Sequence, residues 1–401
     1  MAEKTKVTLQ EVLSLVIDHR GKTVKKMGAD FSLVGHRVIS AINIKDRRVD
    51  NENLRYVSSE IYEQWMKEPL RAGDVLLTSE APLGELAYVE EDSDACLGQR
   101  LFALRGRSGV LYGRYLFYAL SFGEVREDLL SRATGTTVTG IRQSELLKVR
   151  INLPPFAEQK AIADVLGVLD GKIDSNRRMA DLLIRLARTM MSVGQYEARL
   201  GDIAKCERGL SYKGDGLEEN STLGVPMINL ANFGVDGWLN AEKMKFYSGE
   251  YKDRHLLKAG DLVVANTDLT QQRVIIGRPA LVPPELGRAI FTHHVTAIRP
   301  IEDEELSLPI WAQLNTSGFR ERAEGFATGT TVAGMPVETL LDFQIQIPDG
   351  RVISDARDLL QRVWAAETES RSLTLLRDTL LVELLSGRLR VKDAESMMEN
   401  V

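Results

Sequence analysis

Short apolar runs broken by glycine, asparagine and aspartate fill most of this chain, and twice they give way to a different rhythm. "GDVLLTS", "ELAYVEE" and "RLFALRG" in the first half read as strands bounded by turns, as do "DLVVANT", "RVIIGRPALV" and "HVTAIRP" in the second. "YLFYALSFGEVREDLLS" and "IWAQLNTSGFRERAE" add helices between them. After Pro155 the spacing changes. Ile162, Leu166, Leu169, Ile173, Asn176, Ala180, Leu183, Ala187 and Met190 step alternately by four and three, which is the seam of a heptad helix. A helix of roughly 35 residues rising 1.5 Å each is about 50 Å long. A more polar counterpart runs through Leu359, Val363, Ala366, Ser370, Leu373, Arg377, Leu380 and Leu384, and stops at Gly387 in the role of a C-cap.

The two halves are copies. "ATGTTVTG" (133–140) and "ATGTTVAG" (327–334) differ at one position and lie 194 residues apart. "LRAGDVLL" (70–77) returns as "LKAGDLVV" (257–264), "VTLQEVLSLV" is echoed by "ARLGDIAKCE", and "VRINLPP" by "FQIQIPD". Landmarks kept in one order at a nearly constant offset mean tandem duplication. The octamer is expected to mark the corner where each globule meets its helix. Ser370 lies 194 residues after Asn176, so a polar pair across the seam is expected to fix register. Neither heptad helix carries enough flanking charge to stand alone, so the two should pack on each other. The expected fold class is α+β: two tandem-repeated mixed α/β domains separated by two long helices packed as an antiparallel coiled coil, with pseudo-two-fold symmetry. The expected boundaries are 1–154, 155–197 (central helix), 198–348, 349–390 (C-terminal helix) and a tail at 391–401.

Composition adds limits. The chain has 401 residues, 44% hydrophobic and 27% charged, with two cysteines and a net charge of −6, the profile of an ordinary globular protein. Cys96 and Cys206 match no metal spacing and fit a reducing compartment. Neither a signal peptide nor a membrane-spanning run is read, so the expected location is the cytoplasm. Acidity overall argues against coating of nucleic acid, yet Met1–Lys45 holds eight Lys/Arg against four Asp/Glu, and local field decides binding.

Catalytic chemistry finds no foothold. The octamer lacks the Gly-Lys-Ser/Thr of a phosphate loop and precedes a strand instead of following one. "NLPPF" (152–156) has Leu153 where an amino-methyltransferase needs a polar acceptor; its prolines read as the end of a strand and the start of a helix. His293 and His294, adjacent on a strand, would point to opposite faces and could not share a metal. Asp349 in "IPDGRVISDARD" lacks the downstream Glu-x-Lys of a metal-dependent nuclease. No catalytic, cofactor-binding or metal site is expected.

With the repeat, the seam and the missing chemistry in place, the chain resembles the specificity (S) subunit of Type I restriction–modification enzymes. "GTTVTGIRQSELLKVRINLPPFAEQKAIADVLGVLDGKID" (135–174) carries the match, with a core of Pro154, Pro155, Glu158, Gln159 and Ile162; "RGLSYKGDGL", "GVPMINLANF" and "LLKAGDLVVANTD" resemble the opening of a second target-recognition domain. The second copy departs from the pattern, lacking Phe156 and the Glu158–Gln159 pair. The resemblance implies a non-catalytic DNA-binding subunit in which each globule reads half of an asymmetric, bipartite double-stranded target and the helices act as a ruler. It implies partners too: two methyltransferase subunits, which would carry S-adenosylmethionine, and restriction–motor subunits joining through them; no membrane partner is implied. The candidate DNA contacts are Lys22, Lys25, Lys26, Arg47, Arg48, Thr78 and Ser79 in the first copy. In the second they are Ser211, Tyr212, Lys213, Thr267, Gln271, Gln272 and Arg273, with the paired amides suited to adenine. Two other readings fit the residues: a two-headed protein-interaction scaffold, and a standalone two-headed DNA-binding regulator.

Overall fold

Duplication is visible in the order of the elements. The structure is a computed structural model, describing residues 5–51, 54–135, 138–218, 222–234, 237–240, 243–268, 274–329 and 333–398. Two compact units divide the chain: Met1–Ile173 together with Arg371–Val401, and Asp174–Ser370.

In the first unit, Leu13–Asp18, Leu101–Gly106, Val75–Thr78 and Leu86–Tyr88 lie side by side in one antiparallel sheet. The second unit builds the same sheet from Ala204–Arg208, Val295–Pro300, Leu262–Ala265 and Pro279–Leu281. The central strands are apolar without interruption because both of their faces are buried. Val75, Leu77, Phe102 and Leu104 enter a core shared with the long helices, whereas Leu76, Leu101 and Ala103 enter a second core beneath the distal sheet. Leu262 and Val264 against Val263 and Ala265 split in the same way. The distal sheets also correspond. His36–Ile39 runs parallel to Cys96–Leu97 and antiparallel to Arg55–Val57; Val225–Ile228 runs parallel to Arg288–Phe291 and antiparallel to Lys245–Tyr247.

The long helices are Phe156–Met190 and Gly350–Ser386. Within the first unit, Ile162, Leu166, Leu169 and Ile173 join Leu373, Leu380 and Leu384 in one core, and Arg377 donates to Asp170 at 2.8 Å. Within the second, Ala180, Ile184 and Ala187 share a core with Leu360 and Val363. The pairing is antiparallel, since Asp170 meets Arg377 while Asn176 meets Glu369. Gly387 closes the second helix with φ 77°, its N–H donating to the Leu384 carbonyl. A further helix, Val391–Met398, follows, with Ala394 in the first unit's core.

Two expectations need correction, the strict heptad and the octamer as the corner. After Asn176 the buried positions are Ala180, Ile184, Ala187 and Met191, so Leu183 and Met190 are only half-buried: a straight helix of 3.6 residues per turn drifts off a strict heptad. Asn176 directs its amide to Glu369 (2.7 Å) and the Ala366 carbonyl (3.4 Å), while Ser370, its repeat partner, is half-buried, as is Leu359. The octamer is not the corner between globule and helix. That corner is a two-stranded ladder, Thr5–Thr8 with Arg150–Leu153 and Tyr196–Arg199 with Gln344–Ile347. Residues 136, 137 and 330–332 of the octamers lie outside the described residues, but the described ends of each close on one another. Thr134 and Gly140 exchange both backbone hydrogen bonds (2.8 and 3.0 Å), as do Thr328 and Gly334 (3.0 and 2.8 Å). Gly135 and Gly329 take positive φ (120° and 113°), and at Gly135 a side chain would strike the Val138 carbonyl at 2.2 Å. The following residue pins each loop to the sheet: Ile141 N–H to Ser79 O and Met335 N–H to Asn266 O, both 2.9 Å.

Candidate nucleic-acid interface

Lys22, Lys25 and Lys26 lie exposed in the segment that leaves Leu13–Asp18, where Lys25–Met27 forms a single 3-10 turn closed by Gly28 at φ 76°. Gln99 donates to the Lys22 carbonyl at 2.7 Å, and Lys26 donates to the Gly21 carbonyl at 2.8 Å, so the loop is held in shape from two sides. Beside it opens a cavity of about 290 Å³ lined by Lys25, Phe31, Ile42, Asn43, Arg55 and Gln99. Arg55 lies over the Phe31 ring at 4.9 Å. Ile42 is 65% exposed and Leu33 94%, which adds an apolar rim to the cationic loop. Lysine and arginine suit phosphates, whereas Gln99 and the apolar rim suit base edges and thymine methyls; Asn43 is buried and shapes the turn instead. The sequence reading missed Phe31, Arg55 and Gln99. Phe31 precedes the Ser32–Tyr56 bridge, Arg55 opens a strand and Gln99 follows one, and only the parallel pairing of His36–Ile39 with Cys96–Leu97 and the antiparallel pairing with Arg55–Val57 gathers them.

Other candidates fall elsewhere. Arg48 is exposed on the small hairpin of Ile44–Lys45 and Arg48–Val49. Its neighbour Arg47 is turned inward: burial pulls its guanidinium below the usual arginine range, opposed by Asp170, and it lies over the rings of Phe117 and Tyr118. Arg47 is therefore withdrawn as a DNA contact. So are Thr78 and Ser79, which are buried; the Thr78 hydroxyl accepts from Glu85 N–H at 2.8 Å and shapes the turn to the next strand.

In the second unit Ser211 and Lys213 are exposed and Tyr212 is half-buried, its ring edge-on to Tyr247 at 6.0 Å. Their loop lies flush against the distal sheet. Leu210 N–H donates to Phe291 O at 2.7 Å, and a side chain at Gly209 would meet the Thr292 carbonyl at 2.2 Å. Thr267 is half-buried with its hydroxyl 2.8 Å from His294 Nδ1. Gln271, Gln272 and Arg273 lie outside the described residues. The expectation for the two histidines is corrected: His293 and His294 occupy a turn, not a strand, and their rings face each other at 3.9 Å. Burial, then His293 and Arg208, hold His294 below the ordinary imidazole range.

Among the described residues no three His, Cys, Asp or Glu side chains converge as a metal site, and no helix is long and apolar enough to cross a membrane. Burial pushes both thiols, Cys96 and Cys206, up to about 12, which leaves neither as a nucleophile.

The signature around Pro155 acquires a structural meaning here. Gln159 is fully buried; it accepts from Tyr112 N–H (2.9 Å) and donates to the carbonyls of Val110 and Pro154 (both 2.9 Å). It clamps the first turn of the long helix to the loop entering Gly113–Ser121. The second unit places Ile353 194 residues on from Gln159 and ties its own layers through Gln313, which donates to Met191 O (3.1 Å) and Gln346 O (2.6 Å).

Comparison with known proteins agrees with this architecture. Residues 1–183 match the family described as the Type I restriction modification DNA specificity domain. The Type I restriction enzyme MjaIX specificity subunit of Methanocaldococcus jannaschii is 30% identical over 360 residues, which is 80% of this chain and 78% of the relative. The MjaVIII specificity subunit of the same organism is 22% identical over 74% of this chain and 75% of its own length. The crystal structure of the Type-I restriction-modification system S subunit from M. genitalium superposes with a TM-score of 0.60, covering 95% of this chain and 96% of that one, at 16% identity, and so shares the fold. Duplicated units, paired long helices and a relative 30% identical over most of both chains together make the chain a member of the specificity subunits of Type I restriction enzymes, the non-catalytic DNA-recognition components of those systems.

Proposed function

We propose that each unit reads one half of a bipartite, asymmetric double-stranded DNA target, and that the chain delivers two methyltransferase subunits to it. The observation that carries this reading is one fold built twice with different residues at the same place. The loop "RGKTVKKMG" presents Lys22, Lys25 and Lys26, and "RGLSYKG", at the corresponding strand exit, presents Ser211 and Lys213. Two unlike faces on one scaffold suit two unlike half-sites, which an identical pair could not distinguish. Thr267, Gln271, Gln272 and Arg273 are assigned to the second face by sequence.

Exposed apolar side chains on the long helices are the surface we assign to the methyltransferases: Val168 and Leu375 in the first unit, Met179, Leu182 and Leu186 in the second. Restriction–motor subunits join through that assembly, S-adenosylmethionine belongs to the methyltransferases, and the complex works in the cytoplasm. Co-expression with a neighbouring adenine methyltransferase gene, native mass measurement and single-molecule methylation mapping test the whole reading. Two methyltransferases per chain and modified adenines in a gapped, asymmetric motif are expected. A chain that stays alone and leaves DNA unmodified refutes it and favours the protein scaffold.

A further inference from the structure

In each unit a short segment leaves the distal sheet and reaches a long helix: the hairpin of Ile44–Lys45 and Arg48–Val49 in the first, and the stretch bridged by Phe233 and Leu239 in the second, of which 235 and 236 lie outside the described residues. The two segments are built alike. Asn43 accepts from Ser40 N–H at 3.1 Å and its carbonyl from Asp50 N–H at 2.6 Å; Asn232 accepts from Asn229 N–H at 2.9 Å and its carbonyl from Asn240 N–H at 2.7 Å. Their tips differ in chemistry. In the first unit Arg47, at φ 66°, lies 4.8 Å from the Phe117 ring centroid and 5.4 Å from that of Tyr118, with Nη2 4.0 Å from Asp170. Asp170 is itself held by the Tyr118 hydroxyl at 2.6 Å and by Arg377 at 2.8 Å. In the second unit the contact is made by Trp238, whose ring lies 5.7 Å from Trp311 and 5.9 Å from Trp364. Phe117 and Trp311 are 194 residues apart, and so are Asp170 and Trp364. One contact has thus been kept through duplication while the residue that makes it changed from a guanidinium to an indole; in the second unit the cation comes from the long helix, where Arg188 lies over the Trp311 ring at 5.0 Å.

Burying a guanidinium costs desolvation that its ring contacts and a carboxylate at 4.0 Å offset only in part. Such a group is retained where it holds something in place. What it holds lies on the candidate DNA face: the hairpin carries exposed Arg48, and the turn before it carries Ile42, which walls the cavity beside Lys25, Arg55 and Gln99. We propose that Arg47 and Trp238 are positioning residues for DNA recognition. Each latches its segment to the long helices and so sets the recognition face of its own unit, by charge in the first and by aromatic contact in the second. This rests on the DNA reading above.

The test is selection of bound duplexes from a randomised pool by the full chain, comparing wild type with Arg47→Met, Arg47→Lys, Trp238→Ala and Trp238→Phe. Wild type is expected to recover a two-part motif. R47M should lose base preference by roughly tenfold, the scale of one lost base contact, in one part only, and W238A in the other part only. R47K and W238F, which keep the charge or the ring, should retain most of the preference. A residue that merely stabilised the fold would lower yield and melting temperature without singling out one part. If both parts weaken together, or neither weakens while the wild-type motif is intact, the latch is overturned. If R47M does not fold, Asp170→Asn must relax the same half, and no relaxation there overturns the proposal as well. A wild type that recovers no motif sinks the DNA reading, and the latch with it.

Discussion

Replacing Gln159 with leucine strips three backbone groups of their partner in one step while leaving the packed volume nearly unchanged. Tyr112 N–H loses its acceptor, and the carbonyls of Val110 and Pro154 lose their donor. The side chain is fully buried, so water cannot substitute without opening the helix start. An unpaired buried group costs about 1–3 kcal/mol, and the N–H sits at the strict end because it has no second lone pair to fall back on. Three such groups sum to about 3–9 kcal/mol, the lower part of that range where a carbonyl keeps its second lone pair engaged, against a total domain stability of about 5–15. Hydrogen exchange resolved by peptide is the right assay, because it separates the first unit from the second in one experiment. Protection should fall across residues 110–121 and 156–173. A loss below about 1 kcal/mol would refute the accounting. So would a variant that keeps its protection but no longer binds a methyltransferase, since the Glu158–Gln159 signature would then belong to a partner surface and not to an internal clamp.

Further expectations follow from other contacts. His19 accepts from Trp65 Nε1 at 2.7 Å and is held below its ordinary value chiefly by burial, so the unfolded chain takes up the proton first. Its contribution to stability is therefore present above pH 6.5 and lost as pH falls through the lower folded value; urea midpoints between pH 8 and 5 should drop on acidification, less steeply in His19→Gln, and a rise would contradict the sign. Lys25→Ala and Arg48→Ala should each lower the salt slope of DNA binding by about 1, whereas Thr78→Val should leave the slope unchanged and cost stability instead. Asn176→Leu should raise the second unit's urea stability by about 1 kcal/mol, because Glu369 is exposed and regains water; a fall of that size would show that the polar contact is worth more than the apolar one.

The duplication, the two strand-rich units and the paired helices were legible because each rests on a periodic or repeated signal. Leu76 and Leu77 read as one apolar run, and that run is what a strand with two buried faces requires. What stayed hidden depends on direction. Arg47 and Arg48 are indistinguishable as letters, but a turn with positive φ at Asp46 and Arg47 sends one inward and leaves the other in solvent. Thr78 and Ser79 looked like polar loop residues, yet Thr78 is the buried last residue of a strand and Ser79 is buried just beyond it. Phe31, Arg55 and Gln99 share a cavity only through strand pairing over tens of residues, for which the local pattern holds no signal. The octamer was visible as a repeat, yet its reciprocal Thr–Gly closure belongs to backbone geometry that composition does not specify.

The first unit's core takes in Leu373, Leu380, Leu384 and Ala394 beside Leu9 and Phe102. A ribosome therefore finishes the second unit before it supplies the last pieces of the first. At about 5–20 residues per second, the roughly two hundred residues between Ile173 and Arg371 take on the order of 10–40 s to synthesise. Throughout that interval the apolar face of Ile162, Leu166, Leu169 and Ile173 waits without its mate. The half of the protein translated first is therefore the half completed last.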